Sequence, residues 1–392
     1  MVPGTNASAA LERAVKEPVT LITGGPGTGK TTMVIALVRA LKAQGRYVTL
    51  CAPTGRAAKR LEETPGLRDF EPTTIHLLLT KLKARKHRKI DVLIIDEASM
   101  VDADLMVRIL DVLREKNSLI MIGDADQLPP VGPGQVFKDL LKMKGIPNAR
   151  LLENFRQSEG SNIITAANSV MAGRLPPYHE NMFESEYEFR EENDEQKLQD
   201  LVLNLYLTEL PERLGLDKFN EIQVLTPQRT GLLGTRALNR KIQDNLWAGN
   251  KPLLAQENRE PLFHGDKVIQ TVNNYALGVM NGDIGRILNR KNKIVVNFGG
   301  KEVEYDSGNS RALEPAYAIT VHKSQGSEYP AVIIPTSKTH MHMLGRNLLY
   351  TAITRGKEKV LIVGNREVYR AGIRAAWKDF RYTILPLLGA NE

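Results

Sequence analysis

Cysteine is almost absent from this chain of 392 residues: Cys51 stands alone. No intramolecular disulfide can form, and a cysteine-built zinc site is excluded. A reducing, cytoplasmic setting is therefore expected. No apolar run approaches the roughly 18–20 residues that a membrane span needs. The opening MVPGTNASAALERAVKEP has no basic stretch followed by an apolar one, so no secretory signal is expected there. Internal repeats and low-complexity tracts are lacking too. What is plentiful is ordinary globular material, 42% hydrophobic and 25% charged, which excludes wholesale disorder. At roughly 100–200 residues per domain, two domains are expected, with room for a small third.

The formal charge is +8. It is unevenly spread. Residues 178–221 hold 13 acids and 4 bases, or −9, so the remainder carries 8 + 9 = +17. A basic excess of that size suits a polyanionic partner, though it also serves solubility.

The first half alternates short β-branched runs with helical spacing. VTLIT (19–23), YVTLCA (47–52), DVLIIDEA (91–98) and SLIMIGD (118–124) read as buried strands. Residues 30–43, 54–63 and 104–114 read as helices between them. Continuous apolar strands separated by helices predict an α/β fold with a parallel sheet covered on both faces. The acidic stretch 178–221 reads as a separator. Beyond it, EIQVLTP (221–227), YAITV (317–321), AVIIP (331–335) and KVLIVG (359–364) predict a second α/β sheet. Between 265 and 312 the texture changes to KVIQTV, DIGRILN, KIVVNF and KEVEYD, joined by Gly and Asn turns. That predicts a small antiparallel barrel or meander inserted into the second sheet.

GGPGTGKT (24–31) has the G-x-x-x-x-G-K-[ST] spacing, with a strand before it and a helix after. Glycines let backbone N–H groups turn toward a phosphate. Lys30 can reach β- and γ-phosphates, and the Thr31 hydroxyl can ligate Mg²⁺. The start of the helix adds partial positive charge. Gly25, Gly27, Thr28, Gly29, Lys30, Thr31 and Thr32 are thus the expected nucleotide-binding residues. Asp96 and Glu97 fall where a strand ends. Asp96 is expected to hold Mg²⁺ with Thr31, and Glu97 to orient and deprotonate the attacking water.

Several segments together resemble superfamily 1B DNA helicases of the RecD-like branch. They are GGPGTGKTT (24–32), APTGRAAKRL (52–61), TIHLLL (74–79), LIIDEASMVD (93–102), MIGDADQLPPVGPGQVFKDL (121–140), LLENFRQ (151–157), VLTPQRTG (224–231), AYAITVHKSQGSEYP (316–330) and NLLYTAITRGK (347–357). The resemblance implies two RecA-like P-loop domains with parallel sheets, plus a small SH3-like β-barrel insertion in the second. The expected division is 1–155, then 156–264 and 313–392 around an insertion at 265–312. It implies an ATP-dependent 5′–3′ helicase or translocase on single-stranded DNA and 5′-tailed duplex DNA, with ATP hydrolysed between the two domains. Gln127 would report the γ-phosphate, Arg156 and Arg355 would reach it from the second-half motifs, and Glu328 would approach the ribose. Pro53, Thr54, Arg56, Thr74, His76, Thr320, His322, Lys323 and Ser324 would line a single-strand groove, where hydroxyls, amides and a few bases hold phosphates without reading sequence.

Three features depart from the pattern. The position expected to carry an adenine-recognising glutamine is occupied by Ala7. The stretch 80–90, TKLKARKHRKI, carries six Lys/Arg but no hairpin turn where relatives place a strand-separating pin. It is either a solvated basic helix end or a rudimentary separation element. The chain also starts almost at the first motif, so an N-terminal partner-binding extension is not expected. The alternative function is a nucleic-acid-stimulated ATPase or remodelling subunit that does not unwind alone. His340 and His342 (THMHM) lack acidic or cysteine partners nearby in sequence, so a metal site is not expected there.

Overall fold

A computed structural model describes residues 5–84, 90–152, 161–177, 185–255, 259–290, 293–375, 381, 383 and 385. The chain divides into two compact units, Met1–Gly160 with Asp379–Glu392, and Ser161–Lys378. No helix among the described residues is long and apolar enough to cross a membrane.

The first unit is a six-stranded parallel sheet. Its strands are β1 (Val19–Gly24), β2 (Val48–Ala52), β3 (Thr73–Thr74), β4 (Val92–Ile95), β5 (Ser118–Gly123) and β6 (Asn148–Leu151), in the order β3-β2-β4-β5-β1-β6. Side chains alternate across the pleat. Ile22, Leu50, Ile94 and Ile120 face one layer, with α1 (Thr5–Lys16), α2 (Lys30–Ala43) and α3 (Gly55–Glu63). Leu21, Cys51, Ile95 and Met121 face the other, with α4 (Ile75–Lys83), α5 (Ala103–Leu110) and α6 (Val136–Leu140). Helix α2 buries Met33, Val34, Leu37, Val38 and Leu41. It stops in a Schellman motif: Gly45, at φ 72°, donates to Lys42 O, and Arg46 donates to Leu41 O.

Two elements are shorter than their sequence suggests. The strand expected over 91–98 ends at Ile95 because Glu97 turns into the left-handed region. The helix expected over 104–114 ends at Leu110, started by Asp102 accepting from the Leu105 amide at 2.8 Å. The C-terminus also differs from expectation. Residues 379–392 group with the first unit rather than the second. Arg381 explains why: its guanidinium donates to the carbonyls of Pro130, Gly132 and Gly134 in the LPPVGPG turn.

In the second unit, α7 (Asn162–Met171) leads to β7 (Tyr187–Glu191), α8 (Glu195–Asn204), α9 (Leu210–Leu214), β8 (Ile222–Thr226) and α10 (Thr235–Leu246). Five strands follow: β9 (Lys267–Gln270), β10 (Ile284–Arg290), β11 (Lys293–Phe298), β12 (Lys301–Tyr305) and β13 (Leu313–Pro315). Then come β14 (Ala318–Thr320), β15 (Tyr329–Thr336), α11 (Arg346–Ile353), β16 (Gly356–Gly364) and α12 (Arg366–Arg374). A parallel sheet runs β14-β8-β15-β16-β7, and a separate antiparallel sheet runs β12-β11-β10-β9-β13.

The acidic stretch is therefore not a separator. It supplies edge strand β7 and helices α8 and α9. Two of its charges meet specific partners: Glu188 is buried against Lys359, and Glu209 takes a bidentate pair from Arg190 at 2.9 and 3.0 Å. The antiparallel sheet is fastened to α10 and to the strand leading into β14 through buried Asp266. That carboxylate accepts from Trp247 Nε1 (2.7 Å), Tyr317 OH (2.7 Å), Gln243 Nε2 (2.8 Å) and the Phe263 amide (2.7 Å). Burial pushes its pKa up, although all four donors pull it down.

Candidate functional site

The order β2-β4-β5-β1 sets four parallel strands side by side. Their carboxyl ends consequently form one edge. The phosphate loop follows β1, Gln127 lies beyond β5, Asp96 and Glu97 follow β4, and Pro53 and Thr54 follow β2. Ligands bind at this edge of open parallel sheets, where strand ends and helix starts expose backbone groups.

Within the loop, Gly27 and Gly29 have φ of 76° and 80°, the left-handed conformation that a side chain disfavours. Gly24 is constrained differently, since a Cβ there would stand 2.5 Å from Thr28 Oγ1. Thr28 donates to Gly25 O at 2.9 Å. Lys30 folds back over the loop and donates to Gly24 O and Gly25 O, both at 2.7 Å. Thr31 is half-buried at the start of α2, and Thr32 is exposed.

The acids are strained and crowded. Glu97 is held at φ 52°, ψ 38° and is buried, with Oε2 lacking a partner among the described residues. The Ser99 hydroxyl beside it is likewise buried and unpartnered among them. Asp96 is pushed up to about 6, first by burial and then by the charge of Glu97; its own hydrogen bond from Glu97 and the charges of Lys30 and Arg60 only partly oppose this. Gly123 permits the close packing here, because a Cβ would meet the Ser99 amide at 3.0 Å.

Sequence motifs alone did not single out Thr23 and Asp124, which shape the turn carrying Gln127. Thr23 accepts from the Ala125 amide (3.2 Å). Buried Asp124 accepts from the Asp126 amide (3.1 Å) and from Gln127 Nε2 (3.4 Å). The one available signal was the repeated acid in GDADQ.

The expected strand-contacting residues of the first unit sit at helix starts. Thr54 caps α3 through the Ala57 amide (3.2 Å), and Thr74 caps α4 through the Leu77 amide (3.2 Å). Arg56 lies in the first turn of α3. His76 is exposed on α4, its pKa lowered by partial burial and by Arg108, against the opposing effect of Asp102. Ala7 packs on the core under α1 and offers no polar group to a base. Of the stretch 80–90, residues 85–89 lie outside the described residues, as does Arg156.

In the second unit, Thr320 ends β14 and accepts from the Lys323 amide (3.3 Å). His322, Lys323 and Ser324 form the single turn that follows, with Ser324 buried and donating to Val321 O (2.7 Å). Glu328 precedes β15 and lies 3.9 Å from Lys357 Nζ. Arg355 is buried at the end of α11. It donates to Thr351 O (3.1 Å), Ser327 O (3.0 Å) and Thr354 Oγ1 (3.3 Å). Those acceptors are all neutral, and no carboxylate pairs with it among the described residues. His340 is a buried structural group, bonded through Nδ1 to Pro335 O at 3.2 Å, and no cluster of metal-ligating side chains occurs among the described residues.

Family models match three segments: an AAA domain over residues 5–186, an ATP-dependent RecD-like DNA helicase SH3 domain over 238–298, and a UvrD-like helicase C-terminal domain over 315–363. The fold is similar to that of the Pif1 helicase from Bacteroides in complex with ADP-AlF3 and ssDNA, with a TM-score of 0.59 at 21% identity over 92% of both chains. It also resembles the Pif1 helicase from Candida albicans, at 0.57 and 18% over 95% and 97%. Those two likenesses show the fold alone. The ATP-dependent RecD2 DNA helicase of Deinococcus radiodurans is 32% identical over 396 residues; the match takes in 96% of this chain but only 51% of that protein. The RecBCD enzyme subunit RecD of Mycobacterium tuberculosis is 31% identical over 404 residues, covering 93% of this chain and 70% of that subunit. On that identity and coverage, the chain belongs to the RecD family.

Proposed function

We propose that the chain is an ATP-dependent DNA helicase that moves 5′ to 3′ along single-stranded DNA in the cytoplasm, entering duplexes from a 5′ tail. The two parallel-sheet units act as RecA-like motor domains, and the antiparallel sheet as an SH3-like barrel. The observation that carries this is the common edge of β1, β5 and β4. It combines a phosphate loop with two left-handed glycines, a glutamine oriented by a buried aspartate, and a buried glutamate with one oxygen unpartnered among the described residues.

Lys30 exchanges its two loop carbonyls for β- and γ-phosphate oxygens when nucleotide enters. Gly25, Gly27, Thr28, Gly29 and Thr32 shape the loop around the phosphates. Glu97 accepts a proton from the attacking water, and Gln127 reports the terminal phosphate. The residues present fit Mg²⁺: burial and the Glu97 charge that push Asp96 up would be relieved by a cation. Thr31 and Asp96 would hold it, and when bound it supplies charge neutralisation at the phosphate oxygens. Arg355 donates to the terminal phosphate, a role supported by its buried guanidinium having only neutral acceptors among the described residues. Arg156 joins it, and Glu328 meets the ribose. Pro53, Thr54, Arg56, Thr74, His76, Thr320, His322, Lys323 and Ser324 hold the strand by its backbone.

Strand displacement with ATP on 5′-tailed and 3′-tailed duplexes tests the proposal. Opening of the 5′-tailed duplex alone is the expected result; opening only from the 3′ tail overturns the polarity. One observation favours the alternative, an ATPase that remodels without unwinding: α4 ends at Lys83 and β4 begins at Val92, which leaves little chain for a separating hairpin. DNA-stimulated hydrolysis without displacement of either duplex would select it.

A further inference from the structure

Thr320 and Lys323 line a groove that runs on beyond the expected strand contacts to Arg229 and Arg236. It continues into a neighbouring depression that shares Arg236, Glu260 and Glu314 with it. Arg229, Arg236, Arg259 and Lys323 line the two, with Glu260 and Glu314 as the acids among them. Four bases against two acids leave a positive excess. The bases are held at defined places. Arg229 belongs to the loop that enters α10, where Gly234 permits a turn that a Cβ would block at 2.2 Å from Thr230 O. Arg236 sits in the first turn of α10 with its amide on Arg229 O at 3.2 Å. Arg259 donates to Arg311 O at 2.6 Å.

Glu314, on β13, is the telling residue. One carboxylate oxygen takes Arg229 at 2.8 Å, and the other takes Lys323 at 3.0 Å. A single anion thus bridges two cations from different segments, one of them the expected strand contact Lys323. Arg229 keeps half of its side chain in solvent, and Glu314 about a third. Ion pairs that exposed contribute little, so a second anion can exchange into them. Burial works to raise the Glu314 pKa, but Lys323 and Arg229 outweigh it and lower it.

We infer that this groove is a phosphate subsite for the backbone of single-stranded DNA, extending the strand path from Thr320 and Lys323 past Arg229 and Arg236 toward Arg259, and that Glu314 stands in for a phosphate when no strand is bound. This rests on the proposed DNA-binding function and adds residues to it. The strand must displace the Glu314 carboxylate to gain Arg229, so Glu314 sets a threshold for binding as well as storing the site in order.

The test is fluorescence anisotropy of a labelled oligo-dT with the full chain over a range of salt. Glu314→Gln should bind the strand roughly two- to fivefold more tightly, because the competing anion is gone. Arg229→Ala should bind more weakly, and the slope of log K against log salt should become shallower by roughly 0.7, the value of one single-strand phosphate contact. In the double variant the gain from Glu314→Gln should shrink, as expected for neighbours that share one partner. Arg290→Ala, which removes an exposed arginine paired with Glu302 on the antiparallel sheet, controls for net charge and should leave the slope unchanged. Inorganic pyrophosphate at matched ionic strength should fail to displace the strand. Unchanged affinity in Glu314→Gln, an unchanged slope in Arg229→Ala, a slope lost equally in Arg290→Ala, or displacement by pyrophosphate would each overturn the subsite. Absence of any strand binding by the parent chain would instead sink the proposed function itself.

Discussion

At the carboxyl edge of the first sheet, Glu97 sits in the left-handed region with a buried oxygen unpartnered among the described residues, and Asp96 is pressed upward beside it. In the second unit, several buried polar groups close on neighbours. Asp266 accepts from four donors, Gln223 Nε2 donates to Ala316 O (3.0 Å) and Tyr317 O (2.8 Å), and Asn239 Nδ2 donates to Pro315 O (2.9 Å) and Ala318 O (3.0 Å). One class of sheet is thus used in two ways. Where polar groups are satisfied they fix a frame; where they are strained or short of partners, a ligand has something to complete.

The largest expected effect breaks this contrast on the chemical side. Glu97→Gln keeps the shape but cannot take a proton, so hydrolysis should fall by about 10²–10⁴-fold. Binding of a fluorescent ATP analogue should persist, and the melting temperature should hold. Near-parental turnover would remove Glu97 from the reaction. The second tests the frame. Asp266→Ala strands Trp247, Tyr317 and Gln243 in a buried place, and about 3 kcal/mol of stability should go. Urea unfolding measures it, and red-shifted Trp247 emission should accompany it. A variant as stable as the parent would show that Asp266 is not the fastening of the antiparallel sheet.

The same contrast explains what the sequence could announce. Helix 30–43 was legible to the residue, because a left-handed glycine starts it and a glycine-closed Schellman motif stops it, and both signals are local. Strands β4 and β5 were legible as apolar runs buried on both faces, and β1 as a short β-branched run. Strand β7 was not. YEFRE reads as solvated acid, and only Lys359, some 170 residues later in the chain, makes Glu188 a core residue. The docking of Arg381 on the 130–134 turn is equally non-local. In the candidate site, Lys30, Thr31, Asp96 and Glu97 were named by spacing. The supports Thr23 and Asp124 were not, since orientation by a neighbour leaves no spacing of its own.

A third prediction concerns acid. His340 is fully buried, and burial above all lowers its pKa from 6.5 to about 4. The unfolded chain therefore takes up a proton near pH 6.5 and the folded chain only near pH 4. Between those values unfolding binds a proton, so stability rises with pH. It should be whole above about pH 7 and fall by about 2 kcal/mol on going down to about pH 5. His340→Gln should flatten that fall in urea titrations at the two pH values. An equal fall in parent and variant would assign the acid sensitivity to other groups.

The smallest effect bears on the strain that separates the two edges. Left-handed backbone is unfavourable for a residue with a Cβ by roughly 1–2 kcal/mol, and for glycine hardly at all. Glu97→Ala removes the carboxylate but keeps the Cβ at φ 52°; Glu97→Gly removes both. Glycine also gains freedom in the unfolded chain, which offsets part of the relief. Glu97→Gly should therefore exceed Glu97→Ala in stability by about 1 kcal/mol, with both inactive in hydrolysis. Among the described residues of the second unit no non-glycine residue has positive φ, so no glycine replacement there should stabilise in this way. If Glu97→Ala proved the more stable of the pair, the left-handed turn after β4 would be carrying no strain, and the first edge would differ from the second only in its charges.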